Sequence, residues 1–253
     1  MNALLETRSL TKTFGEFRAL DGVDFTVSTG ELVCVIGPNG AGKTTLVNLL
    51  TGLLQPTSGD VLFMGKSIAG RGPVGLADAG LARSFQLIAI FPCLTVQETI
   101  AAALVSRQRK RWRLLSRLAA DEEISVRARE LAQLFGLDHR LETVSATLSQ
   151  GEKKLLDVAS AFALDPSVIL LDEPTSGVST ADKRAIMDIL TIAGRKAGVQ
   201  AIVLVEHDMD LVASYSSRIV ALAAGRVLAD LPPGRFFADA SLIEAVVGRR
   251  RTG

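Results

Sequence analysis

One stretch of nine residues constrains the fold of this chain more than any other. It reads GPNGAGKTT, residues 37–45, and it matches the pattern G-x-x-x-x-G-K-[ST]. An apolar run at 32–36 precedes it and a helical pattern follows it, which is the strand–loop–helix context that the pattern requires. Glycines let a backbone curl until successive N–H groups face one anion. The sequence therefore predicts a phosphate-binding loop.

The residue types within this stretch also predict a nucleotide with its metal ion. The ammonium of Lys43 can reach the β- and γ-phosphate oxygens, and the hydroxyl of Thr44 can ligate Mg²⁺. The whole loop is expected to contact the phosphates: Gly37, Pro38, Asn39, Gly40, Ala41, Gly42, Lys43, Thr44 and Thr45.

A second motif, VILLDEP at 168–174, predicts a buried strand that ends in two carboxylates. Ligands of α/β sheets bind at the carboxyl ends of the strands. Asp172 suits the Mg²⁺ shell, and Glu173 suits a general base for the attacking water. An Asp-Glu pair after a strand is by itself often a surface turn. Because the same chain also contains the glycine loop, the catalytic interpretation is favoured.

The order of patterns along the chain predicts an α/β fold with a mostly parallel core sheet. The first segment alternates like half-buried strands, with Val23, Phe25 and Val27 on one face. Later strands at AIVLVE and RIVALA alternate with helices, and Ala224–Gly225 is expected to turn a hairpin. We expect one domain over 1–253. It comprises a core with an antiparallel β region at about 1–90 and 150–230, a helical subdomain at about 91–149 and a C-terminal helix at about 234–248.

Composition narrows the function classes. The 253 residues carry 28 Lys and Arg against 27 Asp and Glu, so no overall charge points to nucleic acid. The two cysteines form no disulfide framework, and Cys34 is expected in the core. No signal peptide is predicted, because MNALLETRSL has no basic start followed by a long apolar segment. No membrane span is predicted either, because no apolar run approaches about 18 residues. We expect a cytoplasmic protein that reaches a membrane only through partners.

Five motifs together resemble those of ABC-transporter ATPase subunits. GPNGAGKTT, SFQ, LSQGE, VILLDEP and VEHD occur in the family's order over nearly the whole chain. The resemblance implies a P-loop NTPase cassette that binds ATP and Mg²⁺ and works as a sandwich dimer. In such a dimer each ATP lies between the glycine loop of one subunit and the signature helix of the other.

The resemblance also implies roles for single residues. Ser149 and Gly151 of the signature would contact the partner's ATP, and Gln86 would contact Mg²⁺ and sense the membrane subunit. His207 would contact the γ-phosphate. Phe14 would stack on adenine, with Phe17 as the competing candidate, although either ring can instead belong to the core.

Three residues depart from the family pattern. Gln150 and Glu152 stand where the signature usually has Gly and Gln, while Ser149 and Gly151 are kept. Ser179 stands where the family often has Asp, which puts in doubt how tightly this loop couples the two nucleotide sites.

Further stretches resemble ATPases of branched-chain amino-acid uptake systems and their amide and urea relatives. FGEFRALDGVDF, EHDMDLV and LIEAVVG carry this likeness. It implies two permease subunits, a homodimer or a heterodimer with a second ATPase, an external solute-binding protein and a peripheral place on the inner membrane face. The alternatives are an ABC ATPase of nucleic acid or ribosomes, an export ATPase, and a nucleotide sensor without turnover.

Two segments have open roles. The basic stretch 106–118 is either a solvated helix face or a contact with headgroups or acidic partner loops. The apolar segment 87–96, with a helix beginning near Thr95, either docks a permease loop or packs against the helical insertion.

Overall fold

The computed structural model describes residues 3–84, 91–107 and 121–247. They fall into two compact units, one comprising Met1–Leu76 with Gln200–Gly253 and the other Ala77–Val199. The strands are β1 Ala3–Phe14, β2 Phe17–Ser28, β3 Leu32–Ile36, β4 Ser58–Phe63, β5 Lys66–Ser67, β6 Leu81–Arg83, β7 Val168–Asp172, β8 Ala201–Val205, β9 Arg218–Ala223 and β10 Arg226–Leu231. The helices are α1 Lys43–Leu50, α2 Pro73–Asp78, α3 Val96–Arg107, α4 Glu122–Leu134, α5 Gln150–Phe162, α6 Thr180–Lys196, α7 Met209–Tyr215, α8 Pro233–Phe236 and α9 Ala240–Val247.

The first unit contains an antiparallel sheet in the order β2-β1-β4-β5. Val23, Phe25 and Val27 of β2 are all buried, as the period of two in the sequence predicts. Phe25 lies opposite Thr7 of β1, and Val27 lies opposite Leu5. The predicted antiparallel β region is confirmed.

The first unit also contains the strand series β10-β9-β3-β8. The central strand β3 runs parallel to both β8 and β9. It is apolar throughout because helices or sheets cover both faces of a parallel strand. The predicted hairpin at Ala224–Gly225 is confirmed, since β9 and β10 pair antiparallel and both turn residues have positive φ.

The side chain of one arginine, at the start of β9, forms hydrogen bonds to residues of two other strands of this unit, β2 and β10. Arg218, at the start of β9, donates from Nε to the carboxylate of Glu31 at 3.0 Å. Its Nη1 donates to Asp230 of β10 at 2.7 Å, and its Nη2 donates to the carbonyl of Thr26 in β2. With only 17% of the side chain exposed, this charge is screened less by water than a surface charge.

The second unit combines a parallel strand pair with helices. β6 pairs with β7 in parallel register, Ala82 opposite Ile169. α3, α4 and α5 each bury apolar side chains. The rings of Phe135, just after α4, and Phe162, the last residue of α5, meet edge to face at 5.1 Å between centroids.

At the end of the chain, two short helices stand where a single helix was expected. α8 ends at Phe236, and Asp239 then accepts hydrogen bonds from the N–H groups of Ser241 and Leu242 at 2.9 and 3.3 Å. An Asp that caps the next turn in this way starts a new helix, because it satisfies donors that a continuous helix would use internally. None of the helices within the described ranges combines the length and apolar character that a membrane crossing requires.

Candidate functional site

The glycine loop lies between β3 and α1 in the first unit, and at two of its glycines a Cβ would clash with neighbouring backbone. Gly37 has a φ of +154°, and a Cβ there would lie 2.3 Å from the carbonyl oxygen of Leu222. Gly42 has a φ of +103°, and its Cβ would meet the carbonyl oxygen of Ala19 at 2.7 Å. The backbone therefore takes a path that L side chains with a Cβ rarely adopt.

Neighbouring segments of the first unit hold this loop in place. The turn residue Gly225 donates from its N–H to the carbonyl of Ala41 at 3.2 Å, and its own carbonyl accepts from the N–H of Asp21 at 2.9 Å. Backbone atoms from the start of β2 and from the β9–β10 turn therefore pack directly against the loop.

Lys43 opens α1 and directs its ammonium at the loop. Its Nζ donates to the carbonyl of Gly37 at 2.7 Å and to that of Pro38 at 3.0 Å, and the residue is 7% exposed. A buried cation that is bound to two loop carbonyls lies where phosphate oxygens are expected. Thr44 is exposed, so its hydroxyl is accessible to a ligand.

His207 follows β8 in the same unit and is exposed. The residue before it, Glu206, is only 4% exposed, and its carboxylate accepts a hydrogen bond from the N–H of His207 at 3.1 Å. Asp208 caps α7 by accepting from the N–H groups of Asp210 and Leu211. The histidine therefore stands on a short connection that is fixed at both ends. Sequence reasoning did not single out Glu206, although a carboxylate directly after a buried strand signals it.

The two candidate adenine-stacking residues are paired at the end of the β1–β2 hairpin. Phe14 lies opposite Phe17, and they are 49% and 64% exposed. The alternative that either ring belongs to the core is wrong. Lys12 places its ammonium 5.2 Å from the centroid of Phe14, within cation–π range. Which ring stacks on a base stays a prediction.

In the second unit, Asp172 ends β7 and forms an ion pair. Its Oδ2 accepts from Nη2 of Arg83, the last residue of β6, at 2.6 Å, with 23% and 14% of the two side chains exposed. The parallel pairing of β6 and β7 brings the two ends together. The sequence analysis did not identify Arg83 as a residue of the candidate site. Its position three residues before Gln86 was the feature that could have indicated it.

Glu173 has a backbone conformation that is uncommon for a residue with a side chain. Its φ is +49°, in the left-handed region that favours glycine. Its carbonyl accepts from the N–H of Ser176 at 3.1 Å and from Nζ of Lys154 at 3.2 Å. Such conformations persist when surrounding contacts determine them, and they concentrate at functional sites. Lys154 was also missed, because LSQGEKK reads as an ordinary exposed helix start.

The signature residue Ser149 is the N-cap of α5. It shares a capping box with Glu152: Ser149 Oγ accepts from the N–H of Glu152 at 3.2 Å, and Glu152 Oε2 accepts from the N–H of Ser149 at 2.8 Å. Nε of Arg140 donates to the other carboxylate oxygen at 2.9 Å. The bond from the Ser149 backbone, followed by the Ser149 hydroxyl and Arg140, lowers the pKa of Glu152 despite some burial. A Glu at this position therefore does the capping work that a Gln does elsewhere.

Gly151 and Ser179 occupy defined places near the same helix. A Cβ at Gly151 would touch Cγ1 of Val178 at 3.5 Å, an ordinary contact. Ser179 caps α6, with its Oγ accepting from the N–H of Asp182 at 3.3 Å and donating to the Asp182 carboxylate at 2.6 Å. The Ser in place of the family's Asp thus starts a helix, a role that both residue types fill well.

Several predicted residues lie outside the described residues. These are Gln86, the first four residues of the apolar segment after it (87–90) and most of the basic stretch (108–118). Of their flanks, Phe91 is 47% exposed, α3 begins at Val96, next to the predicted Thr95, and Arg107 pairs with Asp165 at 2.7 Å.

The oxygen donors present fit Mg²⁺ that is shared with a nucleotide. Among the described residues no group of three or more His, Cys, Asp or Glu is arranged to hold a metal. Mg²⁺ in nucleotide sites takes one or two protein oxygens together with phosphates and water. The Thr44 hydroxyl in the first unit is a hard oxygen donor of that kind, and so is the Asp172 carboxylate in the second unit.

Comparisons of the sequence with known proteins agree with these motifs. Residues 20–176 match the profile of the ABC transporter family. The probable branched-chain amino acid transport ATP-binding protein LivG of Archaeoglobus fulgidus is 31% identical over 247 residues, 97% of this chain and 95% of the relative. The hemin import ATP-binding protein HmuV of Bradyrhizobium diazoefficiens is 36% identical over 241 residues, 92% of this chain and 84% of the relative.

Solved structures share the fold. An ATP-binding cassette of an ABC transporter in its ADP conformation superposes with a TM-score of 0.87 at 28% identity, covering 98% of this chain and 100% of that one. A dimeric ATP-binding cassette in a post-hydrolysis state, bound to ADP and Pi, gives a TM-score of 0.76 at 26% identity, covering 90% and 98%. The chain therefore belongs to the ABC transporter family, and it is the type of subunit that binds and hydrolyses ATP in such transporters.

Proposed function

We propose that this subunit supplies the energy for uptake of branched-chain amino acids or of chemically related amides or urea. The match to LivG carries the proposal, because it extends over 97% of this chain and 95% of the relative. HmuV has a higher sequence identity to this chain, but the alignment covers a smaller share of the relative, 84%. Hemin uptake is therefore the competing solute assignment.

The glycine loop binds the phosphates of ATP. Lys43 exchanges the carbonyls of Gly37 and Pro38 for phosphate oxygens, an exchange that strengthens its hydrogen bonds because both partners are then charged. Phe14 or Phe17 stacks on the adenine. Thr44, Asp172 and Gln86 would hold Mg²⁺, which supplies charge neutralisation at the phosphates.

Glu173 acts as the general base. It accepts a proton from the attacking water, and the in-line attack breaks the bond between the γ-phosphorus and the bridging oxygen. His207 contacts the γ-phosphate and stabilises the charge on its oxygens. Replacing Glu173 by Gln keeps size and polarity but removes the base, so we expect ATP affinity to stay unchanged and hydrolysis to fall at least ~100-fold.

Each subunit contributes Ser149 and Gly151 to the nucleotide of a second ATPase subunit, identical or not. The dimeric relative bound to ADP and Pi supports this arrangement. The N-terminus of α5, with its dipole and the exposed Ser149, is suited to a phosphate of a partner's ATP. The subunit would work at the inner membrane face with two permease subunits and, indirectly, an external solute-binding protein.

Solute uptake by a deletion strain tests the transport assignment. We expect loss of labelled leucine or urea uptake, restored by the wild-type chain and not by Glu173→Gln. Wild-type leucine and urea uptake together with lost hemin uptake would overturn the assignment. Nucleic-acid or ribosome-linked action, the alternative from another class, would leave all three uptakes intact.

A further inference from the structure

One lysine on the signature helix contacts the loop that carries the proposed general base. Lys154 lies in α5, five residues after the cap Ser149. Its Nζ donates to the carbonyl of Glu173 at 3.2 Å and to Oγ of Ser176 at 2.9 Å. All three residues belong to the second compact unit.

The two bonds from Lys154 hold both ends of one turn. The N–H of Ser176 already donates to the carbonyl of Glu173 at 3.1 Å, which closes the turn. The ammonium binds the same carbonyl and the side chain at the other end. Glu173 is the first residue of this turn and has the φ of +49°.

The direction of a carboxylate depends on the backbone angles of its own residue. A residue with a side chain returns from the left-handed region to a commoner conformation unless its surroundings prevent this. Hydrogen bonds from a charged donor are stronger than those between neutral groups. Lys154 supplies two such bonds to the turn, one of them on Glu173 itself.

We propose that Lys154 is a positioning residue that keeps Glu173 in the orientation needed for proton abstraction. It does so from the helix whose N-terminus carries Ser149, so a shift of that helix on meeting a partner's nucleotide is transmitted to this chain's own base. The inference rests on the proposed roles of Glu173 and Ser149.

The neighbouring lysine provides a matched control. Within the described part of the chain, the side chain of Lys153 makes no hydrogen bond or ion pair, and only its backbone N–H bonds to Ser149. Lys153→Met removes the same charge from the same helix turn without touching the Glu173 loop. It therefore separates an effect of contact from an effect of charge near the nucleotide.

The main test is steady-state ATP hydrolysis by the full chain. Lys154→Met should lower kcat about 10-fold with KM for ATP unchanged, since small misplacements of a catalytic group cost that much or more. Lys154→Arg should recover most of kcat, because a guanidinium can donate to both oxygens. Lys153→Met should stay within about 2-fold of wild type, near the neutral range of surface changes. Wild-type kcat in Lys154→Met would overturn the proposal.

A second variant keeps the test decisive if Lys154→Met does not fold. Ser176→Ala removes one of the two lysine bonds and leaves the Glu173 bond, so kcat should fall less than in Lys154→Met, again at constant KM. In the double variant the serine change should add nothing further, because the lysine it served is gone. A Ser176→Ala enzyme with wild-type kcat, or a fully additive double variant, would contradict the proposal.

ATP-driven dimerisation separates positioning from direct contact with the partner's ATP. It is measured in the Glu173→Gln background, where hydrolysis is removed. Adding Lys154→Met should leave the dimerisation constant unchanged if the lysine acts only through Glu173; a loss of dimer would overturn the proposal. If Glu173→Gln itself turns over normally, the proposed base is wrong, which is a different result from any of these.

Discussion

The guanidinium of Arg83 and the carboxylate of Asp172 form an ion pair between the ends of β6 and β7, with 2.6 Å between Nη2 and Oδ2. The pair lies at the carboxyl ends of two parallel strands, where ligands of α/β folds bind. Replacing Arg83 by Met should lower the free energy of unfolding by about 1–2 kcal/mol, between the values for exposed and buried pairs. Urea unfolding measures the loss.

The pair formed by Arg127 and Glu130 serves as its control. The separation is similar, 2.8 Å, but both side chains are 55% exposed. Arg127→Met should therefore change stability by no more than about 0.5 kcal/mol. In Arg83→Met the Asp172 carboxylate loses its partner. The double variant Arg83→Met/Asp172→Asn removes that charge and should recover part of the lost free energy of unfolding. An Arg83→Met protein with the wild-type urea midpoint would contradict the expectation.

Gly42→Ala should weaken ATP binding through the shape of the glycine loop. The added Cβ would lie 2.7 Å from the carbonyl oxygen of Ala19, which backbone rigidity prevents from yielding. Gly40 also has positive φ, yet a Cβ there meets nothing within 4 Å, so Gly40→Ala carries the strain without the clash. We expect the Kd for ATP to rise at least ~10-fold more in Gly42→Ala than in Gly40→Ala. Equal Kd values, by calorimetry, would assign the effect to φ alone.

The contribution of Ser149 in trans predicts rescue between two inactive proteins. Ser149→Arg should block closure on a partner's γ-phosphate while its own loop still binds ATP. Lys43→Ala should cripple the loop and keep the signature helix intact. Mixing them creates composite sites with one sound loop and one sound signature, so part of the activity should return where homodimers form.

The same idea predicts that wild-type specific activity rises with protein concentration until the dimer is populated. Activity per molecule that does not depend on concentration, in a sample shown to be monomeric, would exclude a role in trans. Where a non-identical ATPase is required, it is added before the variants are mixed.

The capping box at Ser149 should make part of the stability depend on pH. The pKa of Glu152 is lowered in the folded state, so its contribution is complete above the ordinary pKa of an unfolded Glu and is lost as pH falls through the lowered value. Glu152→Gln keeps the cap but loses the charge interaction with Arg140. The free energy of unfolding of wild type should exceed that of this variant by about 0.5–1 kcal/mol at neutral pH, and the difference should shrink as pH falls through the lowered pKa of Glu152. A difference that is constant with pH in urea unfolding would rule this out.

The two cysteines should differ sharply in reactivity. Burial, with the Glu206 charge as a smaller cause, raises the pKa of the Cys34 thiol to about 12, whereas Cys93 is exposed. A disulfide reagent at about pH 8 should modify Cys93 alone in the native protein and both thiols in denaturant. Rapid native labelling of Cys34, located by mass spectrometry, would show that this part of the core opens.

Local patterns were sufficient to predict the elements that carry the motifs. Apolar runs predicted β3 and β7, and the pattern after the glycine loop predicted α1. The hairpin at Ala224–Gly225 followed from its turn residues. These predictions succeed because each depends on residues close together in sequence.

Contacts distant in sequence could not be predicted in the same way. Arg83 meets Asp172 across 89 positions, and Lys154 meets Ser176 across 22. Nothing in the composition of either neighbourhood points to its partner, since the pairing is created by strand register and helix packing. The break between α8 and α9 was also missed, because Asp239 reads equally well as a surface residue within one helix.

The backbone that packs against the glycine loop bears on how such a motif can be moved between proteins. The carbonyls of Ala19 and Leu222 and the turn at Gly225 approach the loop so closely that they define which residues it accepts. Copying the nine residues GPNGAGKTT to another strand–helix junction would transfer the loop without the backbone contacts that fix its conformation. A graft that is meant to bind a nucleotide must therefore bring the start of β2 and the β9–β10 turn with it, although these segments lie about twenty residues before and one hundred and eighty residues after the motif.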